Sequence, residues 1–94
     1  MKRLQNKDSN GERIKVGDRV RIVGVPDLSG MAPAARAESL PVFQYLVGKY
    51  KRVDEFDEFG FAWLMFKIRK GPHAGYHSVA MEPYLLKVVR NKSQ

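Results

Sequence analysis

The sequence predicts one small, mostly β domain, and three observations support this class. The chain has 94 residues, which is enough for one hydrophobic core. Its composition, 44% hydrophobic and 29% charged, is that of a globular chain rather than a disordered one. Short apolar segments alternate with clusters of Gly, Pro, Asn and Asp, as in β-sandwiches and barrels. We therefore expect about five or six antiparallel strands.

The composition also excludes several kinds of site. The chain contains no cysteine, so disulfides, thiol nucleophiles and the common cysteine-based zinc sites are ruled out. The first residues are basic without a following apolar stretch, and no apolar run approaches the roughly 20 residues of a membrane span. These features predict a cytoplasmic protein without a membrane segment. We expect one domain over residues 1–94, with flexible ends at 1–7 and 91–94.

A turn and a strand begin the domain. Residues 8–11, Asp-Ser-Asn-Gly, tolerate positive φ and can bond to their own backbone, so they predict a tight turn. In the segment 19–25, Val20 and Ile22 alternate with arginines, as a half-buried strand requires. The arginines of this strand are therefore expected to point into solvent.

The segment 26–48 predicts a long first loop that carries a short helix. Prolines and glycines interrupt it, and alanine, a poor strand former, is frequent. Ser39 can cap a helix, Pro41 is tolerated in a first turn, and Gly48 can end it. A helix over 40–47 has only about two turns, so it must dock against the sheet to be stable.

The rest of the chain predicts a meander of strands. Apolar segments separated by turn-forming residues favour antiparallel hairpins over a helical bundle or a parallel sheet. The predicted strands are 49–56, 61–68, 76–81 and 85–89, with turns at 57–60 and 69–72.

Two segments carry a resemblance to a known fold family. The run 16–24, VGDRVRIVG, resembles the opening of prokaryotic SH3-like barrels, including KOW-type modules, in which a Gly-Asp corner leads into the first long strand. The run 82–89 is similar to the single-turn helix and final strand that close such barrels. The resemblance covers most of residues 13–89 and implies an SH3-like small barrel with one short helix in its long first loop. It is a likeness to small bacterial proteins of unassigned role, so it implies a fold rather than an activity.

Two functions found in SH3-like families are not implied. A KOW motif has a glycine that leads from its first strand directly into the next, whereas the 26–48 loop intervenes here. Recognition of proline-rich ligands needs an acidic loop with paired aromatic residues, and this loop contains only Asp27 and Glu38 as acids. The partner must therefore be sought in other features.

Residues 61–66 form a segment that is apolar on both faces of the predicted strand. One face must belong to the core. The other face is either covered by the 40–47 helix or exposed as a patch for a partner protein. In the second case the expected contact residues are Phe61, Trp63, Met65 and Tyr50.

The net charge of +7 favours polyanionic partners. Basic residues interleaved with aromatic ones can hold phosphates and stack the bases of single-stranded nucleic acid. The same residues can instead form a solvated surface that keeps the protein soluble. The candidates for nucleic-acid binding are Arg19, Arg21, Lys49, Lys51, Arg52, Lys67, Arg69 and Lys70.

Metal binding and catalysis are not predicted. His73 and His77 are four residues apart but lie in a turn rich in Gly and Pro, and the acidic run 54–58 lacks the spacing of a calcium loop. No nucleophile elbow and no phosphate-cradling glycine loop is present in the sequence. We therefore expect a noncatalytic binding or adaptor module without cofactor or metal, with a protein as the preferred partner and nucleic acid as the alternative.

Overall fold

The computed structural model describes residues 3–90 and contains, within that range, six strands, one α-helix and one short 3₁₀ helix. This confirms the mostly β class. Residues 1–2 and 91–94, which belong to the ends predicted to be flexible, lie outside the described residues. In chain order the elements are β1 (Arg19–Ile22), α1 (Pro33–Leu46), β2 (Tyr50–Arg52), β3 (Glu55–Phe56), β4 (Ala62–Ile68), β5 (Gly75–Met81), the 3₁₀ helix Pro83–Leu85, and β6 (Leu86–Val88).

The strands form two antiparallel sheets of three strands each, with the orders β2-β1-β6 and β3-β4-β5. β4 and β5 form the longest pairing, over seven residue pairs from Ala62–Met81 to Ile68–Gly75. The 3₁₀ helix connects β5 of the second sheet to β6 of the first. It lies where the single-turn helix was expected.

The predicted continuous strand 49–56 was wrong, because the chain bends at Val53 into β2 and β3, which belong to different sheets. The Val53 N–H donates to the Asp18 carbonyl beside β1 at 3.0 Å. The next N–H, that of Asp54, donates to the Trp63 carbonyl on β4 at 2.9 Å. Val53 is 1% exposed, so its side chain holds this corner inside the core. The chain therefore changes sheets within two residues.

The predicted helix 40–47 was too short, because α1 begins at Pro33. Pro33 lies in the first turn, where its missing N–H has no helical partner to lose. The residues that follow, 34–38, are Ala, Arg and Glu, all strong helix formers. The frequent alanines therefore favour the helix as well as opposing a strand, and Ser39 lies inside α1 rather than at its start.

Pro41 likewise lies inside α1 rather than in its first turn. Proline in a helix interior removes one hydrogen bond and costs about 3 kcal/mol, which is why the sequence favoured a later start. The helix tolerates Pro41 because its final turns are anchored in the core. Val42, Phe43 and Leu46 are all buried there.

Several strand ends also differ by a few residues from the prediction. β1 ends at Ile22 rather than at 25, β5 begins at Gly75 rather than at 76, and β6 covers 86–88 rather than 85–89. The N–H of Val23 donates to the carbonyl of Leu85, which belongs to the 3₁₀ helix, at 2.9 Å. The regular hydrogen-bond ladder between β1 and β6 therefore ends with Val23 and Leu85.

The core lies between the two sheets and the C-terminal half of α1. Alternate residues of the strands point inward, as the period of two requires. Apolar burial of this extent is the main stabilising contribution to the fold. The side chains in the cluster are Ile14, Val20, Ile22, Leu28, Val42, Phe43, Leu46, Val53, Ala62, Leu64, Phe66, Ile68, Met81, Leu86 and Val88.

Leu4, in the segment 1–7 that was predicted to be flexible, bonds to the turn between β3 and β4. The Leu4 N–H donates to the Phe59 carbonyl at 2.9 Å. Gly60 has φ +89° and lies so close that a Cβ there would be 2.4 Å from the Leu4 carbonyl oxygen. Only glycine fits this position, for both conformational and steric reasons.

Asp8 connects the first turn to the last strand. Its Oδ1 accepts hydrogen bonds from the N–H groups of Asn10 and Glu12, and its Oδ2 accepts one from Val88 on β6, each at 2.8 Å. The residue is only 5% exposed. Burial raises the pKa of the Asp8 carboxyl, but these three backbone donors and the charge of Lys87 lower it more, so the pKa lies below its ordinary value.

Replacing Asp8 with Ala would leave three backbone N–H groups without their acceptor, one of them on β6. We expect the free energy of unfolding of Asp8→Ala to fall by about 2 to 4 kcal/mol in urea denaturation at neutral pH. Asp8→Asn keeps one oxygen acceptor and should lose less. Equal stability of the alanine variant and the wild type would contradict this role.

The contribution of Asp8 should depend on pH. Because its folded pKa is lowered, its stabilisation is fully present above the ordinary value of 3.8 and is lost as the pH falls through the lower folded value. The difference in unfolding free energy between wild type and Asp8→Asn should therefore shrink below pH 3.8. A difference that stays constant to lower pH would show that the carboxylate charge is not involved.

Pro41→Ala would supply an N–H for the helix interior and remove the ring from the preceding turn. We expect its free energy of unfolding to rise by about 1 to 3 kcal/mol, measured by chemical denaturation. Pro33→Ala is the matched control, since proline is favourable in a first turn, and it should change little. A less stable Pro41→Ala would mean that packing of the half-buried ring outweighs the helix penalty.

Candidate nucleic-acid interface

The register of the first sheet brings basic side chains from three strands onto one face. Arg19 pairs with Arg52 of β2. Arg21 pairs with Tyr50 of β2 and with Lys87 of β6. Directly opposed residues point to the same side of a sheet, and all of these residues are exposed. We call this surface the basic face; it consists of Arg19, Arg21, Tyr50, Arg52 and Lys87.

The basic face is held in place by local contacts and carries no compensating acid of its own. The three strands of its sheet contain five Lys or Arg among ten residues and no Asp or Glu. The Arg19 guanidinium carbon lies 4.8 Å from the centroid of the Tyr50 ring. Arg52 donates a hydrogen bond to the Gly17 carbonyl at 3.0 Å. Like charges opposite each other, such as Arg19 and Arg52, destabilise a strand pair, so this arrangement costs stability.

Half of the acidic residues are fixed in turns or at strand ends, and one of them, Asp18, lines the same cleft as Arg19 and Arg52. Five of the ten acidic residues accept hydrogen bonds from backbone N–H groups in turns or at strand ends. Such contacts stabilise loops and fix the position of the carboxylate. The five acids are Asp8, Asp18, Asp27, Asp54 and Asp57.

A second basic surface lies on the other side of β2. Lys51 follows Tyr50 in the strand and therefore points away from the basic face. It enters an open groove of about 620 Å³, which we call the basic groove. The groove is lined by Tyr45, Lys51, Met65, Phe66, Lys67, Ile68, Arg69 and Lys70.

Cations and aromatic rings are paired throughout the basic groove and its rim. The Lys51 ammonium lies 5.2 Å from the centroid of the Phe66 ring. The Lys67 ammonium lies 5.3 Å from the Tyr76 ring, and the Lys49 ammonium lies 4.7 Å from the Tyr45 ring. These separations are within the range of cation–π attraction. They keep these lysines beside aromatic rings, of which Tyr45 and Tyr76 are exposed and Phe66 is buried.

The eight basic residues predicted as a nucleic-acid site thus divide into two groups. Arg19, Arg21 and Arg52 lie on the basic face. The remaining five lie in the basic groove or at its rim: Lys49, Lys51, Lys67, Arg69 and Lys70. The two groups meet at β2, whose successive residues point to either side.

The residues predicted for a protein partner do not form one patch. Trp63 is half-buried and Met65 is 62% exposed on the outer face of the second sheet. Phe61, just before β4, is half-buried. Tyr50 is 47% exposed but belongs to the basic face of the other sheet. α1 packs into the same core as Leu64, and its residues share a groove with Trp63, whereas Met65 remains uncovered.

Asp57 bonds to the half-buried Trp63. Its Oδ2 accepts a hydrogen bond from the indole Nε1–H at 3.0 Å, while its Oδ1 accepts the N–H groups of Phe59 and Phe61 at 2.9 and 3.0 Å. Loss of solvent raises the pKa of the Asp57 carboxyl, but the indole and backbone donors lower it more, so the pKa lies below its ordinary value. The Asp57 carboxylate therefore stabilises the turn at 57–60 and its contact with Trp63.

The His77 ring is occupied by contacts within the chain. The His77 ring stacks on Phe66 with 5.5 Å between centroids, and its Nε2 lies 2.6 Å from the His73 carbonyl oxygen. Among residues 3–90, no three His, Asp or Glu side chains are grouped as a metal ion would require. In the same range, no helix has the length and apolar character to cross a membrane.

Sequence reasoning missed several residues of these surfaces, among them Lys87, Tyr45 and Tyr76. Lys87 alternates with the buried Leu86 and Val88, so the period of β6 could have placed it outward. Tyr45 and Tyr76 carry no comparable signal, because they reach the basic groove only through the packing of α1 and the pairing of β5 with β4.

Comparison with known proteins assigns no family to this chain. No family model, no curated protein and no solved structure matches it. The function must therefore be argued from the surfaces themselves.

The contact between Trp63 and Asp57 predicts a spectroscopic transition in acid. Because the folded pKa of Asp57 is lowered, the carboxylate should persist below pH 3.8 and be lost at a lower value, with a change in Trp63 fluorescence. Asp57→Asn should lack this transition. Far-UV circular dichroism recorded in parallel separates it from unfolding, and an identical transition in the variant would contradict the assignment.

Proposed function

We propose that the protein is a noncatalytic module that binds single-stranded nucleic acid through its basic face and basic groove. The observation that carries the proposal is the clustering of Arg19, Arg21, Arg52 and Lys87 around Tyr50, on strands that contain no acid. A chain selected only for solubility would intersperse charges of both signs, since a single-sign surface repels itself. Phosphates would relieve that repulsion.

The aromatic residues favour a single strand over a duplex. Bases stack on aromatic side chains when they are unpaired, and each such contact contributes about 1 to 3 kcal/mol. One side of the Tyr50 ring is covered by the Arg19 guanidinium, and the residue remains 47% exposed. Tyr45 is 37% exposed beside Lys49. Each basic surface thus offers a ring next to cations.

The position of β2 supports a path that joins the two surfaces. β2 is the edge strand of its sheet and approaches β4, where Lys51 lies over the Phe66 ring. Tyr50 points to the basic face, and Lys51 points to the basic groove. A ligand that crosses this edge would contact both.

The strand orders support an SH3-like barrel as the scaffold. The segment 50–56 passes from the first sheet to the second, and a 3₁₀ helix leads back to a final strand that pairs with β1. With α1 in the loop after β1, this topology agrees with the resemblance of the sequence. A noncatalytic role in the cytoplasm of a bacterium is part of the same proposal.

Charge reversal on the basic face tests the proposal. We expect Arg19→Glu and Arg21→Glu each to weaken binding of a labelled single-stranded RNA of about 20 nucleotides at least tenfold at near-physiological salt. The slope of log affinity against log salt should fall by about one for each phosphate that the variant no longer neutralises. Fluorescence anisotropy over a salt series measures both quantities.

Matched controls separate a site from general charge. Arg36→Glu makes the same charge change on α1, outside both basic surfaces, and should cost far less affinity. Tyr50→Ala should weaken the single strand more than heparin or duplex DNA, because only unpaired bases stack. If all three polyanions lose affinity equally in every variant, the charge is a solubility device and the proposal fails.

A protein partner is the second candidate, and one observation favours it. On the outer face of the second sheet, Met65 is 62% exposed and Tyr76 is 84% exposed. Exposed apolar side chains grouped on one face can mark a protein-binding site. On this proposal Phe61, Trp63 and Met65 form the contact, and charge reversal on the basic face leaves it intact. Phe61 lines neither basic surface, so loss of a partner protein on Phe61→Asp, without loss of RNA binding, would distinguish the two.

A further inference from the structure

The outer edge of β5 has no pairing partner within the described residues. β5 bonds to β4 on one side only, and no other backbone group of residues 3–90 bonds to its edge. Edge strands are normally protected by Lys, Pro or a bulge. β5, with the sequence GYHSVAM, contains no Lys, Arg, Asp, Glu or Pro, and it pairs with β4 at seven consecutive positions. Such an edge is a template for a further strand.

The hydrogen bonds of β4 identify which groups of β5 are free. The Met65 N–H donates to the Asp54 carboxylate at 2.7 Å and the Trp63 carbonyl accepts from the Asp54 N–H, so these residues direct their backbone groups toward β3. Backbone direction alternates along a strand, so the even-numbered residues of β4 bond to β5. Their partners are Gly75, His77, Val79 and Met81. The residues in between, Tyr76, Ser78 and Ala80, direct their N–H and C=O groups away from the sheet.

We propose that this edge pairs with β5 of a second copy of the chain, antiparallel and around a two-fold axis at Ser78. In an antiparallel pair, two residues exchange N–H and C=O bonds only if both direct these groups toward each other. Ser78 facing its own copy meets this condition. The same register places Tyr76 opposite Ala80 of the second copy, and both of these residues also direct their groups outward. The whole free edge is therefore self-complementary.

The charges at the two ends of β5 favour this antiparallel arrangement. The turn before β5 carries Arg69 and Lys70, whereas Glu82 follows its last residue. In the proposed register Glu82 lies opposite residue 74 of the second copy, in the turn that contains these two cations. Each acidic end thus meets a basic end, and a parallel arrangement would place like charges together.

The surroundings of the edge leave room for a second strand. Ser78 and Ala80 have small side chains, so the outer face does not block the approach. A groove of about 430 Å³ lies along β5 beside α1, and its lining includes Ser39 and Val42 of α1 and residues 77–80 of β5. The inward-facing His77 and Val79 of the second copy would enter this groove. The edge pairing buries little area, so the dimer should be weak and concentration-dependent.

The oligomeric state in the absence of nucleic acid tests this proposal independently of the proposed function. We expect the weight-average mass in sedimentation equilibrium to rise toward twice that of one chain between about 10 µM and about 1 mM. Ser78→Lys places two like charges at the axis and should abolish the rise. Ser9→Lys makes the same substitution at an exposed site near β6 and should leave it unchanged.

A cysteine variant tests the register itself. The chain contains no cysteine, so Ser78→Cys can form only an intermolecular disulfide. Hydrogen-bonded antiparallel partners have Cα atoms about 5.5 Å apart, within disulfide range. Under mild oxidation Ser78→Cys should cross-link at least tenfold faster than the matched control Ser9→Cys. Thermal unfolding of each variant verifies that it is folded.

Three results would overturn the proposal. The first is a single-chain mass over the whole concentration range, which would leave the edge to a strand of another protein. The second is a dimer that Ser78→Lys does not weaken. The third is equal cross-linking of the Ser78→Cys and Ser9→Cys variants.

Discussion

The corner at Val53 decides how the surface of this protein is organised. Its buried side chain anchors the bend at which the segment 50–56 stops pairing with β1 and begins to pair with β4. One segment therefore contributes a strand to each sheet. Because side chains alternate along β2, Tyr50 points to one side of the first sheet and Lys51 to the other. Both basic surfaces and the path between them depend on that bend.

Charge segregation follows from the way the turns are stabilised. A domain of this size has many turns for its length, and Asp side chains accept the backbone N–H groups that these turns leave unpaired. Asp8 does this across the fold, from the first turn to β6, and Asp57 does it within one turn. The three strands of the first sheet themselves contain no acid, and their exposed cations are suited to an external anion.

Local patterns predicted part of this structure. The alternation of Val20 and Ile22 with arginines, the turn at 8–11 and the hairpin turns at 57–60 and 69–72 depend on residues close in sequence. Pro41 shows where local reasoning failed. The low helix propensity of proline predicted that a helix would start near Pro41. Burial of Phe43 and Leu46 outweighs the cost of proline in the helix interior. The break at Val53 was missed for the same reason. It depends on pairing with β1 and with β4, two strands that are distant from each other in sequence.

The sequence by itself therefore determined the mostly β class, the positions of most turns and the outward direction of Arg19 and Arg21, because turn chemistry and strand period are local properties. Only the tertiary structure decided which residues share a surface. The pairing of Arg19 with Arg52, the meeting of Lys51 with Phe66 and the free edge at Ser78 all depend on register between distant segments. Register is set by the joint burial of apolar faces, which no single segment specifies.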